Sequence, residues 1–375
     1  MNKTYSLLAA LLASFVLMTA CTSEDAGDTS SEEENAVVEI EATSNESTVN
    51  SEQKVSIVLG DSITIDGEGA KVNDEGVLIN ATGTYTISGT LKDGMIHVNA
   101  ENVELVLNGV DITNSNGPAI LFTNESEALV TLAEGTTNSL SDGGDSDYDG
   151  ALYSTGSLTI QGDGSLDVVG NAEEGIAGEM HLNINGGTIH VTSKDDGLNA
   201  NNDNISIITI NDGYLYIAAG GDGIDSNGAL TINGGTVITL SSLTDANGGL
   251  DADGEVLING GTVIATGERL STPTTNSSQQ SVIVDFGSTQ QAGTLVSIQQ
   301  EEKQLLNFAP ALAYRSLLFS SADLEEDISY QVYSGGSATG ENADGVYGTG
   351  SYSEGTLKET VTTDSISSYK SRGRR

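Results

Sequence analysis

Tryptophan is absent from the 375 residues, cysteine occurs once, and proline and histidine occur three times each. Each scarcity removes a possibility. A lone cysteine, Cys21, excludes an intramolecular disulfide. With no thiol beyond it and no Ser-His-Asp arrangement among so few histidines, acyl-transfer chemistry has no parts to work with. Basic residues are also scarce: 13 Lys and Arg stand against 54 Asp and Glu, for a net charge of −41. Such a chain repels the phosphates of nucleic acids and is expected to collect cations. Long hydrophobic runs are missing as well, since the only one, Leu7 to Ala20, is short for a membrane span.

What is abundant is glycine, 46 residues, interleaved with β-branched and aliphatic residues. A strand ending Ile-Asn-Gly-Gly recurs at Ile184–Gly187, Ile232–Gly235 and Ile258–Gly261, with looser copies at Ile160 and Ile210. These five isoleucines follow one another at steps of 24, 26, 22 and 26 residues. A repeat of that length, built from short strands and glycine turns, predicts a solenoid in which each repeat is one coil. Side chains alternate faces along a strand. The columns Leu158, Leu182, Ile208, Leu230, Val256 and Leu166, Ile189, Leu215, Val237, Val263 are uniformly aliphatic and are expected to face inward. The column Asp167, His190, Tyr216, Ile238, Ile264 is mixed and is expected to face outward. The predicted fold is therefore all-β, a right-handed parallel β-helix, because crossovers between parallel strands are almost always right-handed.

The termini read differently. Residues 1–20 have the form of a lipoprotein signal peptide, with Lys3, the apolar run and then Leu-Met-Thr-Ala before Cys21 as the lipid anchor. Residues 21–54 read as a disordered acidic Ser/Thr/Glu linker, 55–271 as the β-helix, and 272–356 as a C-terminal β-rich cap that opens with the Ser/Thr/Gln-rich stretch 272–280. Residues 357–375, with Lys370, Arg372, Arg374 and Arg375, read as a basic tail outside the fold. A secreted monomer, lipid-anchored at the bacterial envelope or surface, is expected.

Aligning the coils by glycines 150, 175, 197, 223 and 249 brings carboxylates into register at what reads as a coil turn. Asp149, Glu174, Asp196 and Asp222 precede the glycine; Asn199, Asp225 and Asp251 follow two residues after it, with Asp253 beyond and Asp195 beside Asp196. Equivalent positions on successive coils stack about 4.8 Å apart. Two bare carboxylates at that distance repel by roughly 1 kcal/mol in water and about 3–4 at an effective dielectric near 20. Such a ladder calls for protons or cations, and hard oxygen donors in flexible glycine-rich turns suit calcium. Asp and Asn also suit turns on their own account. Asp195, Asp196, Asn199, Asp222, Asp225, Asp251 and Asp253 are the candidate ligands. His190, Tyr214 and Tyr216, on the outward face, are candidate sugar contacts.

Several linked motifs resemble the bacterial carbohydrate-binding domain-containing protein family. They are Gly83-Thr-Tyr-Thr-Ile-Ser-Gly-Thr90, Leu105-Val-Leu-Asn-Gly-Val-Asp-Ile112, Gly117-Pro-Ala-Ile120, Gly135-Thr-Thr-Asn-Ser-Leu-Ser-Asp-Gly143, Lys194-Asp-Asp-Gly-Leu-Asn199 and the Asn-Gly-Gly-Thr turns. The resemblance spans roughly residues 55–350. It implies a parallel β-helix of polysaccharide-lyase-like shape that binds calcium, cellulose and acidic plant polysaccharide without established catalysis. Three functions remain open: calcium-assisted polysaccharide binding, a lyase or hydrolase for acidic glycans, and a structural adhesin in which calcium only stiffens the solenoid. For a lyase, Lys194 is the candidate base, being the only Lys or Arg between Lys92 and Arg269.

Overall fold

The computed structural model describes residues 54–363, apart from 125, 126, 145, 245, 349 and 354. The predicted leader, Cys21, the acidic linker and the basic residues from Lys370 onward lie outside the described residues. Within them the chain is β-structure joined by turns, with no α-helix.

The repeat folds as a parallel β-helix. The five isoleucines pair in register from coil to coil, Ile160 with Ile184, Ile210, Ile232 and Ile258 in turn. So does the second column, from Leu166 through Ile189, Leu215 and Val237 to Val263. Both columns are buried in one continuous core that runs from Val55 to Leu270. No single coil could bury its own apolar side, and stacking supplies the missing half.

Two features of the Ile-Asn-Gly-Gly phrase now have causes. The second glycine, at positions 187, 213, 235 and 261, takes φ between +77° and +104°, a left-handed backbone that glycine adopts without steric cost. The asparagines form a stacked amide ladder: Asn211, Asn233 and Asn259 each donate Nδ2 to the Oδ1 of the asparagine one coil back, at 2.7–2.9 Å.

The architecture departs from the sequence reading in four places. Each coil has three strand faces, not two. The stretch read as a carboxylate-rich turn contains a third strand, seen as Gly150–Ser154, Glu174–Gly178, Leu198–Ala200, Ile224–Ser226 and Leu250–Ala252 in one parallel sheet. Second, residues 272–280 do more than link. Their backbone amides bond the open edge of the last coil, Thr274 N to Val256 O and Gln279 N to Ile258 O, and Ser278 N closes the amide ladder on Asn259 Oδ1. Third, the cap packs sideways as well as at the end. Its core of Val282, Val284, Phe319 and Tyr330 takes in Ile238, Leu240 and Ile264 from the outward face of the solenoid. That is why the mixed column turns aliphatic in its last two coils. Fourth, the cap runs beyond residue 356, since Thr356–Thr362 is a strand that pairs antiparallel with Ser329–Ser334.

Strand polarity reverses at both ends of the stack. At the start, Lys54–Leu59 pairs antiparallel with Thr64–Asp66, and Ala70–Asn73 with Gly76–Ile79. At the finish, Thr262–Gly267 pairs antiparallel with Tyr314–Ser320.

Candidate cation site on the third strand face

The third face presents two parallel columns. In the strands, Leu198, Ile224 and Leu250 point into the core, and the next residues, Asn199, Asp225 and Asp251, stand in register on the outside. Just before each strand lie Asp196 and Asp222, and in the preceding coil Glu174. The glycine after each acid is held by close approach rather than by φ. A Cβ at Gly197 would come 2.2 Å from Ile217 Cγ2 and 2.6 Å from Gly223 O. The strand can therefore fold back against its neighbour, which brings the acids of successive coils together.

Asp222, Asp225 and Asp251 each offer a carboxylate oxygen, all within 4.8 Å of one another and all half-buried. Asp196 and Asn199 adjoin them and are buried, at 9% and 6% exposure. Part of this acid set holds the coils together. Asp196 Oδ1 accepts the Asp222 amide at 2.7 Å, and Asp222 Oδ1 accepts the Gly248 amide at 2.5 Å. Asn199 Nδ2 donates to Asp196 Oδ2 at 3.2 Å and to Glu174 Oε1 at 3.4 Å, while Asn199 Oδ1 is buried with no hydrogen-bond partner. Asp251 Oδ1 accepts the Ser271 hydroxyl at 2.9 Å. Asp195 and Asp253 are exposed and stand outside the group of three.

Burial first, and the neighbouring acids second, push these carboxyls toward the protonated form. Asp196 rises to about 8, with Asp225, Asp222 and Asp195 as the repelling charges. Asp222 rises to about 7, against Asp251, Asp225 and Asp195. Glu174 rises to about 8, against Asp149, Asp196 and Glu173. Near neutral pH the ladder is thus starved of positive charge. Its donor set is hard oxygen throughout, and the orphaned Asn199 oxygen adds a neutral one, a composition that suits calcium.

Elsewhere the expected contacts fall differently. His190, Tyr214 and Tyr216 cluster on another face, with ring centroids 5.6–5.8 Å apart. All three are half-buried. Asp344, in a turn of the cap, reaches them: its Oδ2 accepts the Tyr214 hydroxyl at 2.6 Å and meets His190 Nε2 at 3.1 Å. Tyr214 and Tyr216 pack against the cap core. Lys194 Nζ donates to Ala172 O at 2.8 Å, and its charge faces the buried carboxyl of Asp142.

A second group of three lies upstream on the same face, where Asp149, Glu173 and Glu174 bring oxygens within 4.8 Å. The alignment by glycine placed Asp149 and Glu174 in the acid column, and Glu173 takes the position beside it that Asp195 takes one coil on.

A model of the carbohydrate-binding domain-containing protein family matches residues 73–306, more than half of the chain. A carbohydrate-binding domain-containing protein of Acetivibrio thermocellus is 35% identical over 135 residues, covering 33% of this chain and 47% of that protein. The chain thus matches about half the length of that curated relative. A solved structure described as the polysaccharide lyase-like protein from C. thermocellum, gadolinium derivative, aligns with a TM-score of 0.43 and 27% identity, over 60% of this chain and 98% of the other. With its own coils in the register described above and the family model running across them, the chain belongs to the carbohydrate-binding domain-containing protein family.

Proposed function

We propose that this protein binds polysaccharide through a calcium ion held on the third strand face, and that the glycan carries carboxylates or vicinal hydroxyls able to complete the ion's shell. The observation that carries the reading is the convergence of Asp222, Asp225 and Asp251 on adjacent coils, at the edge of solvent. Asp196 and Asn199 would support the ion from the coil before. Calcium takes six to eight oxygens, so a half-buried set of three acids leaves coordination positions facing outward. When bound, calcium supplies a bridge between two anionic partners that would otherwise repel. The residues themselves fix the donors at strand spacing and exclude water from the inner side. Family membership supports carbohydrate as the partner class.

The aromatic trio takes a lesser part in this reading, because Asp344 and the cap already occupy it. Lys194 fastens the turn to Ala172, and no lyase step is assigned to it. Lipid attachment at Cys21, which would hold the binding face at the cell envelope, is part of the same proposal and rests on the leader sequence. Replacing Cys21 with Ser should abolish incorporation of labelled fatty acid and release the protein from the membrane fraction.

The deciding assay is retention of the protein on cellulose and on pectate, with calcium and then with chelator, while product release is followed in the same tubes. Calcium-dependent retention without products is expected, and D225N should lose it. Shortened chains or unsaturated ends would show an enzyme. Failure to bind either polymer while calcium still raises the melting temperature would reduce the ion to a stiffener and overturn the reading for these glycans.

A further inference from the structure

One carboxylate of the cap reaches across to the coils. Asp344 lies at the tip of a hairpin whose arms, Asn342–Ala343 and Val346–Tyr347, pair antiparallel around the loop Asp344-Gly345. Both loop residues take positive φ, +49° and +85°, as the tight hairpin turn that favours Asp-Gly, Asn-Gly and Gly-Gly requires. Arms this short hold together only marginally by themselves. The cap tethers them through the pairing of Val346 with Phe308 and the Ala309 amide on Gly345 O at 2.8 Å. Among the described residues, the hairpin's hydrogen bonds to the coils all end on Asp344 Oδ2, which accepts the Tyr214 hydroxyl and meets His190 Nε2. Residues 341–343 are exposed.

The groups beneath the tip suit a carboxylate attached to a ring. Burial first, and then the hydrogen bond to Asp344, push the Tyr214 phenol up, so it keeps its proton and stays a donor. His190 lies between two acids, with Nε2 on Asp344 and Nδ1 4.0 Å from Asp167 Oδ1. Tyr216, 5.6 Å from His190 between ring centroids, adds a second phenol ring with an apolar face. Upstream the same sheet face is open. Asp167 pairs with His190 from the coil before, and both it and Val169 on that strand are exposed. A polymer lying along those coils would run into the tip of the hairpin.

We infer that Asp344 stands in for a carboxylate of the ligand. Residues 341–348 form a flap, and a uronate-bearing polysaccharide displaces it, seating one sugar carboxylate on Tyr214 and His190 and the sugar ring beside Tyr216. The inference rests on the part of the proposed function in which the glycan carries carboxylates, but it needs no metal ion and uses other residues. A tethered carboxylate competes at high effective concentration. The flap therefore lowers the apparent affinity by the fraction of molecules in which it is open. It excludes a lone small acid and yields to a polymer that presents many carboxylates at once.

The test is made in chelator, so that no calcium contributes. A galacturonate oligomer, and a cellulose oligomer of equal length as the uncharged control, are titrated by calorimetry into wild type and D344G. Glycine suits this turn, so D344G removes the carboxylate and keeps the hairpin. D344N, which keeps the turn and a neutral acceptor, guards against a general effect of losing the side chain. We expect D344G to bind the galacturonate oligomer tenfold or more tightly than wild type, which corresponds to an open fraction of about a tenth or less in the wild-type protein. D344N should gain less, in the same direction, and the cellulose oligomer should gain nothing. Y214F or H190Q added to D344G should remove the gain. In wild type, saturating galacturonate oligomer should speed amide hydrogen exchange in residues 341–347. Equal affinity in D344G and wild type, with the hairpin amides exchanging faster in D344G, would make Asp344 a structural tether and overturn the flap. Hairpin exchange that bound oligomer leaves unchanged would overturn it as well. Calcium-dependent retention on pectate and its loss in D225N are scored separately, so failure here leaves the cation site and the glycan reading standing.

Discussion

Replacing Asp196 with Asn should raise stability without calcium and lower it with calcium. Asp196 is buried among Asp225, Asp222 and Asp195, and its carboxyl is pushed up to about 8. The folded protein therefore holds this proton more tightly than the unfolded chain does. A group of that kind stabilises the fold fully below the unfolded value, near 4, and the stabilisation is lost as pH rises through the folded value, near 8. One pKa unit is worth about 1.4 kcal/mol, so at pH 7 the cost of keeping Asp196 in place is on the order of 4 kcal/mol. Asn carries no charge, and its Oδ1 can still accept the Asp222 amide. It loses the acceptor for Asn199 Nδ2, a cost of about 1 kcal/mol. The net gain of roughly 3 kcal/mol corresponds to a rise of about 5–10 °C in melting temperature. The assay is thermal unfolding followed by circular dichroism in chelator at pH 7 and pH 5, repeated with calcium at pH 7. At pH 5 the gap should shrink to about 1 kcal/mol or less, because folding then takes up a proton only about one unit above the unfolded value. With calcium the order should reverse, because the ion stabilises in proportion to its affinity for the native protein and the variant binds it less well. A variant less stable than wild type in chelator at pH 7, or a gap as large at pH 5 as at pH 7, would refute the reasoning.

Three further outcomes follow from the same geometry. Gly197→Ala forces a Cβ against Ile217 Cγ2 and the Gly223 carbonyl and should cost about 1–3 kcal/mol or more in urea unfolding. Lys194→Ala removes one hydrogen bond to the Ala172 carbonyl; it should cost about 1 kcal/mol or less and leave calcium-dependent retention on pectate unchanged, which binding curves would show. Asp344→Ala removes the acceptor shared by Tyr214 and His190, so it should destabilise by about 1–3 kcal/mol and speed amide hydrogen exchange in residues 341–347, as mass spectrometry would detect.

The core columns were legible because they repeat. Each of Ile160, Ile184, Ile210, Ile232 and Ile258 is buried in the same way, so one rule read five times gave register as well as fold. The third face was not legible as strand because its members are as short as Leu198–Ala200, too brief to show alternation. The acid column was visible all the same, since glycines 197 and 223 mark it. What the sequence hides is division of labour within the column. Asp196 and Asp222 look alike there, yet each spends an oxygen on the amide of the next coil, a contact that crosses 26 residues. The aromatic trio points outward as its column position requires, but Asp344 lies 130 residues beyond Tyr214, and no local pattern announces that a cap will fold back over it.

The reversal of strand polarity at both ends of the stack bears on how the protein can behave when crowded. A parallel coil can be continued only by another parallel strand, and an open final rung would accept one from any neighbouring copy, which is the route by which stacked strands grow into fibrils. Here Thr64–Asp66 and Ala70–Asn73 occupy the first rungs, and Tyr314–Ser320 with the 272–280 strap occupies the last. At Thr64–Asp66, Ala70–Asn73 and Tyr314–Ser320 the interruption is directional as well as physical, since a copy that docked there would meet the wrong strand sense for the coil register. On those edges the stack carries its own stop signals, written into the same chain that builds the coils.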